Sequence, residues 1–224
     1  MARKKHRQKQ KQMRQKPQPK IVKTKSNRKL WIAFAVIAVV IIAVGAVVLF
    51  WQLNQNPNQT GIEPTKVLLE TTAGNITIDL RTDKPITSGN FINLVEAGEY
   101  DGATFYRVIE TFVIQGGLGG GSVANINDEI GSNNHNTEYT VAMAKTDEPN
   151  SASSEFFINT ADNSKRILQD GSKFDDTYTV FGTVIEGQDV VDEIASAPVE
   201  QNPYTGEISM PVDPVTIIRA TIIS

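Results

Sequence analysis

The chain contains no cysteine. Disulfides, thiolate metal sites and cysteine nucleophiles are thereby excluded, while the compartment stays open. Histidine is nearly as scarce, with two in 224 residues. His6 lies in a basic tail and His135 in a polar loop, so a histidine zinc site or a Ser-His-Asp triad would rest on His135 alone. Both tryptophans, Trp31 and Trp51, fall in one apolar run, and no indole follows it. No acidic residue precedes Glu63. Residues 1–29 carry 13 of the 22 Lys and Arg, which leaves nine basic residues against all 25 acids further on, a formal −16. The whole-chain charge of −3 describes neither part. A phosphate loop is missing too. "GGLGGGS", residues 116–122, fails the G-x-G-x-x-G test because Ser122 stands where the third glycine should, and no G-x-x-x-x-G-K-[ST] occurs. The run predicts a strand end where the backbone turns through positive φ.

Residues 30–53, "LWIAFAVIAVVIIAVGAVVLFWQL", have no charge, and Gln52 is their only strongly polar side chain. As a helix they reach roughly 36 Å, more than the ~30 Å core of a bilayer. Trp31 and Trp51 mark the two ends, as interfacial aromatics do. A core helix of that length would show a polar face. A cleaved signal peptide has a shorter apolar run followed by small residues, whereas Gly45 and Ala46 fall in mid-run. The segment predicts one uncleaved transmembrane helix. With the positive charge before it and no basic residue after it until Lys66, the N-terminus is predicted cytoplasmic and the rest extracytoplasmic. The tail, residues 1–29, is expected to meet anionic membrane lipids rather than nucleic acid. Residues 54–65 read as a polar linker with Pro and Gly.

From Lys66 to the end the pattern is one of short strands. "KVLLETTAGNITIDL" predicts a hairpin around Ala73-Gly74-Asn75. "ATFYRVI", "TFVIQGG", "YTVAMA", "EFFIN", "YTVFGTVI" and "VTIIRATII" predict further strands. "PITSGNFINLVEAG" predicts a helix with Phe91, Leu94 and Val95 on one side and Gly98 as its stop, and "GQDVVDEIAS" a second with Val190, Val191 and Ile194 together. Many strands with two helices predict a mainly β, mostly antiparallel closed sheet.

Taken alone, Arg107 in "FYRVIETFVIQGG" reads as a strand arginine whose stem covers apolar surface while its head reaches water. Gln115 reads as a polar strand end, and Phe112, Phe156 and Phe157 as barrel core. The stretch as a whole resembles the signature of the cyclophilins, F-H-R-V-I-x-x-F-M-I-Q-G-G, with Tyr106 for His and Val113 for Met. "TVAMAKTDEPNSASSEFFIN" resembles the bacterial pattern T-I-A-M-A-R-T-x-x-x-x-S-A-T-S-Q-F-F-I-N without a gap, and "YTVFGTVIEGQDVVDEIA" resembles V-F-G-x-V-x-x-G-x-x-V-V-x-x-I. The three blocks keep their order, and the likeness runs from about Val67 to Ile223.

That resemblance implies a closed eight-stranded antiparallel barrel capped by two helices and a peptidyl-prolyl cis-trans isomerase that needs no metal or cofactor. It places the catalytic arginine on Arg107 and the proline pocket on Phe112, Val113 and Phe157. Gln115 would hold the substrate backbone, Ala144 and Lys145 would make backbone contacts, and Phe174 and Tyr178 would line the far side. Phe157 is expected to face away from its core neighbour Phe156. Glu155 stands where the family has glutamine, near enough in prospect to pair with Arg107 or Lys145 and compete with substrate. Lys173 stands where animal cyclophilins carry the tryptophan that holds cyclosporin, which implies weak cyclosporin binding. The expected partners are X-Pro segments of unfolded or partly folded exported proteins. The rival expectations are a module that holds such segments without useful turnover, and a scaffold whose basic tail recruits a cytoplasmic partner or nucleic acid. A fold in which Arg107 turns from any proline-sized hollow, its head solvated or locked to an acid, would contradict the enzyme.

Overall fold

The structure is a computed structural model that describes residues 63–117 and 123–223. The basic tail, the segment expected to cross the membrane, most of the linker and the glycine run beyond Gly117 lie outside the described residues. Among those residues no helix is long and apolar enough to cross a membrane.

Chain order follows hydrophobic alternation. β1 (Lys66–Thr71) buries Val67 and Leu69, and β2 (Gly74–Leu80) buries Ile76, Ile78 and Leu80, so every second side chain enters the core. The Thr71 hydroxyl closes their turn: it donates to the Gly74 carbonyl at 2.6 Å and accepts from the Ala73 and Gly74 amides at 3.1 Å. β3 (Phe105–Ile109), β4 (Val113–Gly116), β5 (Thr140–Met143), β6 (Phe156–Asn159), β7 (Val180–Glu186) and β10 (Ile217–Ile223) occupy the predicted segments. These eight strands form one antiparallel sheet in the order β10-β1-β2-β7-β5-β6-β4-β3.

The expected barrel does not close. The sheet curls until its edges, β10 and β3, approach, but they meet only at an isolated bridge between Thr104 and Thr216. Backbone bonds from Phe105 N to Val215 O (3.0 Å) and Ile217 N to Ala103 O (2.8 Å) complete that seam. A further pair, β8 (Val199–Gln201) and β9 (Ile208–Pro211), forms a two-stranded arm that the sequence pattern did not suggest.

Two α-helices cover the curl. α1 (Pro85–Glu96) has Pro at its first turn, where the missing N–H costs nothing, and buries Phe91, Leu94 and Val95 as expected. Its remaining N-terminal amides are met from outside, the Glu129 carboxylate accepting from Ile86 N (3.2 Å) and Thr87 N (2.7 Å). It stops at Gly98, whose φ of 71° lets Gly98 N reach Val95 O and Glu99 N reach Leu94 O, both at 3.0 Å. α2 (Gln188–Ala195) buries Val191 and Ile194 and lays Val190 over the β1–β2 turn. Inside, Phe91, Tyr100, Phe105, Phe156 and Phe181 meet at centroid distances of 4.9 to 6.0 Å. The buried Tyr100 hydroxyl donates to Ser154 O at 3.0 Å.

Gly187, which starts α2 at φ 81°, has no room for a side chain, because a Cβ would collide with the Asn75 carbonyl oxygen. Left-handed strain alone costs ~1–2 kcal/mol in any other residue. Gly187→Ala is expected to lose at least about 2 kcal/mol, read as a lower urea midpoint with an unchanged slope.

Candidate active site

Register explains how the candidate residues come together. Arg107 on β3 pairs with Gln115 on β4, Gln115 with Phe157 on β6, and Phe157 with Ala142 on β5. These four form one lateral row, and period-2 alternation turns the row to the face opposite the core. The adjacent row, Val108, Ile114, Ile158 and Val141, faces inward. Phe156 and Phe157 are therefore divided as expected: Phe156 joins the inner core, and Phe157 a second cluster with Val113, Ala142, Phe174 and Val180. The arginine of β3 is not a misplaced core residue. It belongs to an outward surface that has an apolar cluster of its own.

Above that cluster lies a hollow of about 70 Å³ lined by Arg107, Phe112, Val113, Gln115, Ala144, Lys145, Phe157, Phe174 and Tyr178. Nine of the ten candidate residues thus share one wall, and only Glu155 stands outside it. The hollow adjoins a groove of about 720 Å³ whose margin includes Asp147, Asp170 and Asp176. Its aromatic floor is fixed by edge contacts. Phe174 lies 5.4 Å from Phe112, 5.7 Å from Phe157 and 4.6 Å from Tyr178, and Phe157 lies 5.4 Å from Tyr178. Aromatic rings hold such tilted and T-shaped pairs in preference to a face-to-face stack. Lys173 precedes Phe174 at the start of a 3₁₀ turn, Phe174–Asp176, and lines neither space.

Arg107 is bound at three of its nitrogens. Its Nε donates to Glu207 Oε2 at 2.7 Å, its Nη2 to Glu207 Oε1 at 2.8 Å, and its Nη1 to Gln115 Oε1 at 3.2 Å. The Glu207 hydrogen bonds raise the guanidinium above its already high pKa, against the opposing pull of burial, so it is a permanent cation. Its Cζ also sits 5.5 Å from the Phe112 ring centroid. The head is locked to an acid, yet the side chain borders the hollow rather than turning from it.

Gln115 is oriented by its neighbours. Its carbonyl oxygen faces Arg107, and its Nε2 donates to the Tyr106 hydroxyl at 2.7 Å and to Glu155 Oε2 at 3.4 Å. Burial, followed by the Glu155 charge, pushes the Tyr106 phenol up, so it stays protonated. The pairing of Glu155 with Arg107 or Lys145 is not found. Arg107 takes Glu207, and Lys145 takes Asp128 Oδ2 at 2.8 Å, because those acids lie directly opposite the two cations. Burial pushes the Tyr178 phenol up as well, so it too presents a neutral hydroxyl.

Sequence reasoning missed three residues that shape this wall. Glu207 comes from the unpredicted β8–β9 arm. Arg166 stacks on Phe112 at 4.1 Å, and its Nε donates to Asn163 Oδ1 at 3.1 Å while Asn163 Nδ2 donates to Phe112 O at 2.8 Å. Asp128 takes up the Lys145 ammonium. A turn-rich "NPYTG" between short β-prone runs was the available signal for the arm. Nothing local to Arg166 or Asp128 pointed to the site. Among the described residues no cluster of His, Cys, Asp or Glu is grouped to hold a metal ion.

The chain matches the family described as Cyclophilin type peptidyl-prolyl cis-trans isomerase/CLD over residues 66–222. It is 42% identical over 165 residues to a peptidyl-prolyl cis-trans isomerase of Acinetobacter baylyi, covering 70% of this chain and 85% of that one. It is 42% identical over 166 residues to one of Streptomyces antibioticus, covering 70% and 98%. It is similar to the crystal structure of a Cryptosporidium parvum cyclophilin type isomerase in the presence of the dipeptide Ala-Pro, with a TM-score of 0.60, 25% identity, and coverage of 71% and 99%. The chain belongs to the cyclophilin-type peptidyl-prolyl cis-trans isomerases.

Glu155 adds a negative charge that accepts from the Gln115 amide at 3.4 Å. Glu155→Gln is expected to raise kcat/KM on an X-Pro peptide by about two- to five-fold, the worth of one modest hydrogen bond. An unchanged kcat/KM would show that Gln115 is not restrained by Glu155.

Proposed function

We propose that the chain accelerates cis-trans isomerisation of X-Pro bonds, with Arg107 stabilising the twisted amide. The observation that carries this reading is the outward row across β3, β4 and β6, which sets a permanent cation beside a small aromatic-lined hollow. A peptide bond resists rotation by about 18–20 kcal/mol because nitrogen shares its lone pair with the carbonyl. At the top of the barrier the prolyl nitrogen is pyramidal and has that pair back. A guanidinium N–H donated to it makes a hydrogen bond that the planar ground state cannot make, which is differential binding of the transition state. Every ~1.4 kcal/mol gained there is a factor of ten in rate. Phe112, Val113 and Phe157 would grip the ring and keep water from the hydrogen bond, which strengthens it. Gln115 would hold the substrate backbone, with Ala144 and Lys145 in backbone contact and Phe174 and Tyr178 behind the ring. No bond is made or broken, so the reaction asks for no nucleophile, metal or cofactor.

The setting is part of the proposal. Residues 30–53 anchor the chain in the membrane, residues 1–29 lie on the cytoplasmic side against anionic lipids, and residues 66–224 act outside on exported chains in folding. A body with a formal −16 would favour basic clients. A second reading, a module that binds proline segments with little turnover, is favoured by one observation: the Gln115 amide nitrogen is already engaged by Tyr106 and Glu155.

A protease-coupled assay on an Ala-Pro peptide separates the two. Arg107→Ala is expected to lower kcat/KM at least about 100-fold, the scale of losing one transition-state donor. Peptide binding with no acceleration of exchange by NMR would decide for the module. Protease added to intact cells is expected to remove the domain and spare the tail. A domain protected until the membrane is opened would reverse the topology.

A further inference from the structure

A guanidinium has five N–H donors. Glu207 takes the pair on one side of the group, Nε–H and one Nη2–H, through parallel bonds of 2.7 and 2.8 Å. Gln115 takes one Nη1–H at 3.2 Å. Among the described residues two donors are left without a partner, one on each Nη. A bidentate carboxylate fixes the plane of the guanidinium, where one hydrogen bond would leave it free to swing. Glu207 is itself well held. It closes the loop between β8 and β9, in which Asn202 N donates to Glu207 O at 2.7 Å and Gly206 N to Asn202 O at 2.8 Å. The Asn202 side chain accepts from Tyr204 N at 2.9 Å and Thr205 N at 3.3 Å. The acid is not a loose tip that happened upon a cation.

We propose that Glu207 is a positioning residue for the isomerisation: it locks the guanidinium plane of Arg107 so that the two remaining Nη–H donors are presented to the hollow. The proposal rests on the reading of Arg107 as the group that meets the prolyl nitrogen. An opposite role, a clamp that withholds Arg107 from substrate, fits the geometry poorly. Glu207 occupies the Nε side and leaves a donor on each Nη unspent, on a side chain that borders the hollow. The Arg107 hydrogen bonds also hold the Glu207 carboxyl below the usual carboxylate range, so it is charged at neutral pH. Side-chain exposures of 27% for Arg107 and 38% for Glu207 mean that the pair adds little to stability. Its removal should therefore be felt in turnover before it is felt in folding.

The test uses the full chain in lipid nanodiscs, with Ala-Pro peptide varied so that kcat and KM separate. Glu207→Gln keeps the shape and removes the charge. It is expected to lower kcat about ten-fold, as misorientation of a catalytic group does, with KM within two-fold and the thermal midpoint nearly unmoved. Glu207→Asp is expected to keep part of the rate, and it also covers the case in which the Gln variant folds badly. In an Arg107→Ala background, Glu207→Gln is expected to change kcat less than two-fold, since no guanidinium is left to orient. The Arg107 Nε–H resonance is expected to be distinct and slowly exchanging in the native chain and to broaden in Glu207→Gln. An unchanged or raised kcat in Glu207→Gln, with Arg107→Ala impaired, would overturn the positioning role alone. So would an equal loss with and without Arg107. Full activity in Arg107→Ala would instead remove the isomerase reading beneath it, and the proposal with it.

Discussion

Arg107 and Glu207 stand 100 residues apart in the chain, and two parallel hydrogen bonds join them. One partner projects from an edge strand of the curled sheet and the other from a small separate arm. The arrangement works only if the sheet register, the arm and the loop at its tip are all in place. A cation beside apolar rings is costly unless its charge is answered nearby. Glu207 answers it from the side, and Gln115 adds a neutral acceptor. The aromatic cluster can then come close to the guanidinium without leaving a bare charge in a dry setting.

The sheet serves two apolar bodies at once. One face of β3, β4, β6 and β5 packs around Phe91, Phe156 and Phe181, while the other carries Val113, Phe157 and Phe174. β5 and β6 are consequently buried along their whole length, on both faces. This double burial makes the site wall rigid. A pocket floor that is also the back of a packed core cannot shift without disturbing both, because interiors of this kind are close-packed.

Most of this was legible where the cause was local. The hairpin at Gly74, the stop at Gly98 and the split between Phe156 and Phe157 each follow from turn chemistry or from a period of two, and each lies where expected. The resemblance placed nine side chains that the structure gathers around one hollow. The misses have another physical origin. Glu207, Arg166 and Asp128 reach the site through pairings between distant segments, and charge pairing leaves no periodic trace in a sequence. The open seam between β3 and β10 was equally hidden, since a strand pattern carries no information on whether the last edge meets the first. The segments before Glu63 lie outside the described residues, so their reading rests on length and charge.

β3 is the terminal strand of the ladder, with β4 as its one laddered neighbour and a single backbone bond, Phe105 N to Val215 O, on its other side. The guanidinium is therefore carried on a lip and the aromatic floor on a wall. The two are mechanically separable, because the lip is clasped on its outer side by a single bond and the wall by full ladders. Variation in outward residues of the lip would reshape the mouth while the floor kept its form.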